Sequence, residues 1–293
     1  MTLWKKYYLA DSVPAALQAL SEAEGPSRLI AGGTDLLLEI QQGRHSPVHT
    51  LVDVTSIPEL GIIELRSDRL FVGAAVPLTQ IVASPLLKQH AEALVEACGL
   101  IGGPQVRNTA TLGGNVSHAL PAADGTIALM ALGAQAEVAS SEGHRFVPTE
   151  SLFLGPGKSA LDPQKELICG FYLPLLRSRQ ASAFRRVMRP QGVALPILNL
   201  ALWLSRTEDT IAEIRIAIGP AGPRPLRARE TENVLRGQPL SPGRIETAVS
   251  ALLSESRFRT SPQRASADYR RHLAEVLLQD SLLAAWERAA KSQ

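Results

Sequence analysis

Thr111-Leu112-Gly113-Gly114-Asn115-Val116-Ser117-His118-Ala119-Leu120-Pro121-Ala122-Ala123-Asp124 places two adjacent glycines between an apolar, β-branched approach (Thr109, Thr111, Leu112) and a polar cluster (Asn115, Ser117, His118). An alanine-rich apolar run follows from Asp124 to Gln135. Paired glycines remove the side chains that would hold a bulky ligand off the main chain, and they permit φ > 0. Successive N–H groups in such a turn converge into an anion-binding concavity. A second pair lies upstream, in Ala31-Gly32-Gly33-Thr34-Asp35, after the apolar run Leu29-Ile30-Ala31. There Thr34 is the expected N-cap of a short helix burying Leu36, Leu37 and Ile40. Such a helix start presents free N–H groups and the positive dipole end to phosphate. Taken singly, each glycine pair reads equally as a tight turn. Together they predict a diphosphate gripped from two sides.

The 293 residues are 45% hydrophobic and 20% charged, enough for two or three compact units with real cores. A net charge of +2, with no dense Lys/Arg block, gives no sign of nucleic acid. The start Met1-Thr2-Leu3-Trp4-Lys5-Lys6 has no apolar signal region, and no apolar stretch reaches the ~18 residues of a membrane span. A cytoplasmic location is expected. Two isolated cysteines, Cys98 and Cys169, are too few to hold an iron–sulfur cluster, a Cys-rich zinc site or a disulfide framework.

Read in order, residues 1–10 predict a strand, Ser12 caps a helix through Leu20, and Arg28–Ala31 is a strand running into the first glycine pair. A strand at Thr50–Val54 follows, then a hairpin of Ile62–Leu65 and Leu70–Val72. Helices are expected over 78–83 and 86–98, the latter burying Cys98. Gly102–Asn108 is turn-rich, Asp124–Leu132 is a buried helix, and Ala136–Ala139 pairs with Arg145–Val147. Glu166–Leu173 is a strand closed by Pro174. Leu175–Gln180 reads as a linker, which puts domains at 1–177 (subdomains about 1–55 and 56–177) and 178–293. Strands at Ala183–Met188, Ile197–Leu204 and Ile211–Ile218 precede helices near 230–236, 243–254 and 265–289. Strands and helices in blocks predict an α+β domain with a three-stranded antiparallel sheet.

The familiar catalytic patterns are absent: no G-x-S-x-G, no H-E-x-x-H, no phosphate loop of the G-x-x-x-x-G-K-[ST] type. The six histidines show no metal spacing; His118 reads as bonded to a loop carbonyl, or less readily as a ligand contact. The Rossmann fingerprint also fails, and no clear helix is expected directly after Thr111–Asn115.

The segments LIAGGTDLL (29–37), IGGPQVRNTATLGGN (101–115), PAADG (121–125), GPGK (155–158), ELICGFYLP (166–174) and SAFRRVMR (182–189) fall in one order and spacing along essentially the whole chain. In them the chain resembles the FAD-binding medium subunit of the molybdenum hydroxylases, the xanthine dehydrogenase and carbon monoxide dehydrogenase family, and within it the bacterial xanthine-dehydrogenase-type subunits. The resemblance implies a FAD-binding domain of the p-cresol methylhydroxylase and vanillyl-alcohol oxidase type, followed by the smaller C-terminal domain. It implies one pyrophosphate cradle from Ala31, Gly32, Gly33, Thr34 and Asp35, and another from Thr111, Gly113, Gly114 and Asn115. Asp124 would bond the adenosine part, and Ile101 and Ile168 would pack by the isoalloxazine. Arg185 would be the cation near the ring, although Arg186 could equally hold the inward place. The Asp35 carboxylate is expected to turn away from phosphate.

The family's carbon monoxide branch usually has His-Ser where this chain has Thr34-Asp35, which argues against carbon monoxide as substrate. The cysteine count argues against the branch carrying an extra cluster loop. The implied partners are a molybdopterin-binding large subunit and a two-iron two-sulfur small subunit, usually in a dimer of heterotrimers. NAD+ or another acceptor would take the electrons, chosen by a loop within Arg189–Pro196. The alternatives are a stand-alone flavin reductase on this fold, for which no Ser/Glu proton-donor pair stands out after residue 180, and a non-redox nucleotide-binding module.

Overall fold

The computed structural model describes residues 3–44, 48–189 and 195–291. Strands β1 (Lys6–Leu9), β2 (Ser27–Ile30) and β3 (Thr50–Asp53) form a parallel sheet in the order β1-β3-β2. Parallel neighbours require crossovers. Helix α1 (Val13–Ser21) supplies the first, capped by Ser12 Oγ accepting from Ala15 N, and α2 (Leu36–Gln41) supplies the second.

The chain then makes the hairpin β4 (Ile63–Arg66) and β5 (Arg69–Gly73). Helices α3 (Leu78–Ala83), α4 (Pro85–His90), α5 (Glu92–Gly99), α6 (Pro104–Arg107), α7 (Leu112–Ser117) and α8 (Asp124–Leu132) follow. Next come β6 (Gln135–Ser140), β7 (Gly143–Pro148), the short ribbon β8 (Phe153–Gly155) and β9 (Lys158–Ser159), and β10 (Leu167–Pro174). They complete an antiparallel sheet ordered β4-β5-β10-β6-β7. Val72, Val138 and Phe171 on this sheet share one core with Leu94 and Cys98 of α5, Leu112 of α7, and α8. Every residue of α8 is buried, as an apolar helix between two sheets must be.

The second of those sheets joins β11 (Gln180–Met188), β12 (Pro196–Arg206) and β13 (Thr210–Gly219), with the two-residue strands β14 (Leu226–Arg227) and β15 (Gln238–Pro239) alongside β13. Strand alternation divides it cleanly. Phe184, Ala201, Trp203 and Ala217 join the α8 core, whereas Ala183, Leu200, Leu202 and Ile216 face the other way. That other face is covered by α10 (Pro242–Glu255) and α11 (Ala267–Lys291), with α9 (Arg229–Leu235) closing the edge.

Three local expectations are corrected. The expected helix over 86–98 is two, because Ala91 at φ −146° breaks the ladder. Thr34 does not cap α2; the cap position falls on Asp35, in αR conformation and without a side-chain bond. The second glycine pair itself lies in a helix, since Thr111 Oγ1 accepts from Gly114 N at 3.1 Å and starts α7. The loop expected within Arg189–Pro196 falls mostly on 190–194, outside the described residues.

Candidate functional site

The first glycine pair meets, in space, the stretch that leads into the second, nearly 80 residues along the chain. Strand β2 ends at Ile30 and the chain turns through Gly33 at φ +66°. A Cβ on Gly32 would stand 2.0 Å from Thr109 O and 2.9 Å from Ala110 Cα, so only glycine allows this approach of backbone to backbone. The two following helices also meet, with His118 Nε2 3.6 Å from Glu39 Oε1. His118 thus faces a carboxylate of α2.

The two segments offer different chemistry. Among the described residues, the backbone N–H groups of Gly32, Gly33, Thr34 and Asp35 donate to no protein acceptor, ahead of the positive end of α2. Asp35 is exposed and Ala31 half-buried beside this turn. The second segment spends its amides internally: Gly113 N donates to Ala74 O, Gly114 N to Thr111 Oγ1 and Asn115 N to Thr111 O. Asn115 Oδ1 accepts from Thr126 N at 3.2 Å, which caps the first turn of α8. The second glycine pair thus spends its amides on bracing, whereas the first leaves its amides open.

Asp124, at the start of α8, is 4% exposed. Its Oδ2 accepts from Arg186 Nη1 at 2.5 Å and its Oδ1 from Asn199 Nδ2 at 2.6 Å. Burial pushes this carboxyl up, while the Arg186 cation and the Asn199 amide pull it back. Asn199 also donates to Ala122 O, and Arg186 to Leu100 O. Arg107 holds the next two carbonyls, Ile101 O at 3.1 Å and Gly102 O at 2.7 Å. Two arginines thus brace the turn that carries Ile101. Ile168, 6% exposed on β10, belongs to the core against which Ile101 packs.

Arg185 goes elsewhere. Its Nη1 lies 3.1 Å from Glu96 Oε1 on α5, and Arg288 of α11 reaches the same oxygen at 2.5 Å. Glu96 Oε2 accepts from Phe184 N, so this carboxylate ties α5 to β11. Of the two neighbouring arginines, the inward one is Arg186. The links of Arg186 and Asn199 to Asp124 are not legible in sequence, because no local pattern marks a partner 60 or more residues away; the Arg107 bonds reach only six and five residues back, and no recognised motif marks them. Cys98 and Cys169 are buried; burial pushes the Cys98 thiol up, and burial with Glu137 and Glu59 pushes Cys169 up to about 12.

Unfilled amides at a helix start, met by a second glycine-containing segment, suit a nucleotide cofactor, and the comparisons give the family. The family described as the FAD binding domain in molybdopterin dehydrogenase matches residues 3–176, and the CO dehydrogenase flavoprotein C-terminal domain matches 182–285. The chain belongs to this family, the FAD-binding oxidoreductase subunits of the molybdenum hydroxylases, and FAD is its cofactor. It is 30% identical to the xanthine dehydrogenase FAD-binding subunit of Escherichia coli O157:H7, over 92% of each chain. It is 32% identical to the nicotine 6-hydroxylase medium subunit of Paenarthrobacter nicotinovorans, over 97% of this chain and 98% of that one. The carbon monoxide dehydrogenase of Hydrogenophaga pseudoflava superposes with a TM-score of 0.91 at 27% identity, covering 97% of this chain and 98% of that one. Among the described residues no helix is long and apolar enough to cross a membrane.

Proposed function

We propose that this chain is an electron-transfer subunit of a cytoplasmic molybdenum hydroxylase of the xanthine dehydrogenase type. When bound, FAD supplies the redox chemistry, taking electrons from the two-iron two-sulfur clusters of a small partner and passing them to NAD+ or another acceptor. A molybdopterin-binding large subunit would carry out the hydroxylation. The observation that carries the reading is the row of unpartnered amides at Gly32–Asp35, pressed against Thr109 by a glycine that tolerates no side chain.

The chain's own residues bind and position. The four amides, with the α2 dipole, would hold the pyrophosphate, with the exposed Asp35 carboxylate turning away from it. Thr111 with Gly113, Gly114 and Asn115 would form the opposing wall. Ile101 and Ile168 would shield the isoalloxazine from water, Ile101 held in place by Arg107 and Arg186. Arg186, buried against Asp124, replaces Arg185 as the cation we place on the cofactor side. With both its oxygens occupied, Asp124 would act toward the adenosine part chiefly by fixing the Ala122–Asp124 loop.

The test is isolation of the native complex from cells, with flavin, iron and molybdenum assayed in the preparation. Flavin, iron and molybdenum in one particle are expected. A native preparation with flavin and neither metal would sink the partner assignment and favour the stand-alone reductase.

A further inference from the structure

The flavin reading leaves Cys169 without a role. Strand β10 changes register against β6 between Ile168 and Gly170, and Cys169 is the extra residue of that bulge. Ile168 joins the main core, whereas Cys169 belongs to the cluster on the other side, with Ala75, Ala139 and Leu167. Adjacent strands bring two further donors to that side. Glu137 on β6 is the register partner of Gly170, and His144 on β7 is the partner of Ala139. His144 Nδ1 lies 2.7 Å from Glu137 Oε1. One ligand atom from each of Glu137, His144 and Cys169 stands within 4.8 Å of the other two.

We propose that Cys169, His144 and Glu137 form a binding site for one divalent ion of the zinc class. Tetrahedral zinc takes sulfur at about 2.3 Å and nitrogen or oxygen at about 2.0–2.2 Å, so its donors stand about 3.3–3.7 Å apart. His144 Nδ1 and Glu137 Oε1 stand closer than that, at 2.7 Å, and all three ligand atoms lie within 4.8 Å, a difference that rotation of the half-exposed His144 ring can take up. A thiolate, an imidazole and a carboxylate suit zinc, and they disfavour magnesium and calcium, which take oxygen donors. Three protein ligands leave a fourth position for water on the His144 side. Glu59 adds negative potential near the thiol. Binding would displace the thiol proton, and the ion would fasten β6, β7 and β10 together at the bulge. The inference rests on these side chains and is independent of the flavin reading.

The test is equilibrium dialysis of the full chain, stripped with chelator, against micromolar Zn²⁺, with bound metal measured by mass spectrometry. Wild type and Cys98→Ser are expected to retain about one zinc per chain. Cys169→Ser and His144→Ala should each bind at least about tenfold more weakly, since even indirect partners of a metal ligand cost 10–100-fold. No zinc retained by wild type would overturn the site. So would unchanged retention in either ligand variant. If Cys169→Ser does not fold by circular dichroism, the half-exposed His144→Ala decides.

Discussion

Replacing Gly32 by alanine adds one methyl group at the point where the two glycine segments touch. That Cβ would stand 2.0 Å from Thr109 O, 2.6 Å from Thr109 C and 2.9 Å from Ala110 Cα. An ordinary C···O contact is about 3.3 Å, so the segments must part by about 1.3 Å. All three atoms are backbone, and no rotamer change can relieve them. Overpacking of this kind costs about 1–3 kcal/mol. Read as cofactor affinity, this is about a 5- to 150-fold loss, because the open amides move away from their opposing wall. The assay is titration of the flavin-free chain with FAD, followed by quenching of flavin fluorescence. Gly243→Ala, at a glycine with no atom within 4 Å of the added methyl, is the control and should bind as wild type. Gly32→Ala affinity within twofold of wild type would refute the convergence of the two segments as the basis of the cradle.

Asn199→Ala strips a buried carboxylate oxygen and the Ala122 carbonyl of their shared donor, and should cost about 2–4 kcal/mol in denaturant melts; a loss under 1 kcal/mol would contradict the reading. Tyr7 donates to Asp53, and this bond, with burial, holds its phenol up to about 12. The folded state keeps that proton above the ordinary value of about 10, so the stabilisation is whole below pH 10 and is lost as pH rises through about 12. Tyr7→Phe should flatten stability against pH across that window, and an unchanged slope would exclude the contact. Arg288 and Glu96 link α11 to α5 across 2.5 Å with both side chains part-buried, so a double-mutant cycle on Arg288→Ala and Glu96→Gln should return a coupling of about 0.5–2 kcal/mol. A coupling near zero would make that pair incidental.

The turn at the first glycine pair was legible because everything needed is local: a strand ending at Ile30, a residue free to take φ +66°, and an apolar stripe restarting at Leu36. The helix at Leu112–Ser117 was not legible, since Gly-Gly-Asn-Val-Ser is poor helix-forming sequence. It forms because Thr111 caps it and Ala74, nearly 40 residues earlier, takes the Gly113 amide. The order of strands in the second half was readable from apolar runs. Which face of β11 points inward was not, because α8 covers one side and α10 with α11 the other, so both are apolar. Alternation then decides between two adjacent arginines: Arg186 shares its face with Phe184 and with its cross-strand partner Asn199. The resemblance singles out Asp124, but its partners in the fold lie 62 and 75 residues further along the chain.

The contact between Gly32 and Thr109 also sets a timetable for synthesis. At about 5–20 residues per second, residue 109 follows residue 32 out of the ribosome by about 4–15 s. Asn199 and Arg186, which complete the surroundings of Asp124, arrive after a similar interval again. On the proposed site, the nascent chain would have nowhere to keep a flavin until roughly two thirds of it has been made. Cofactor loading becomes an event of the released or nearly finished chain. A cell short of FAD would accumulate full-length apoprotein rather than stalled fragments, ready to be filled when flavin returns.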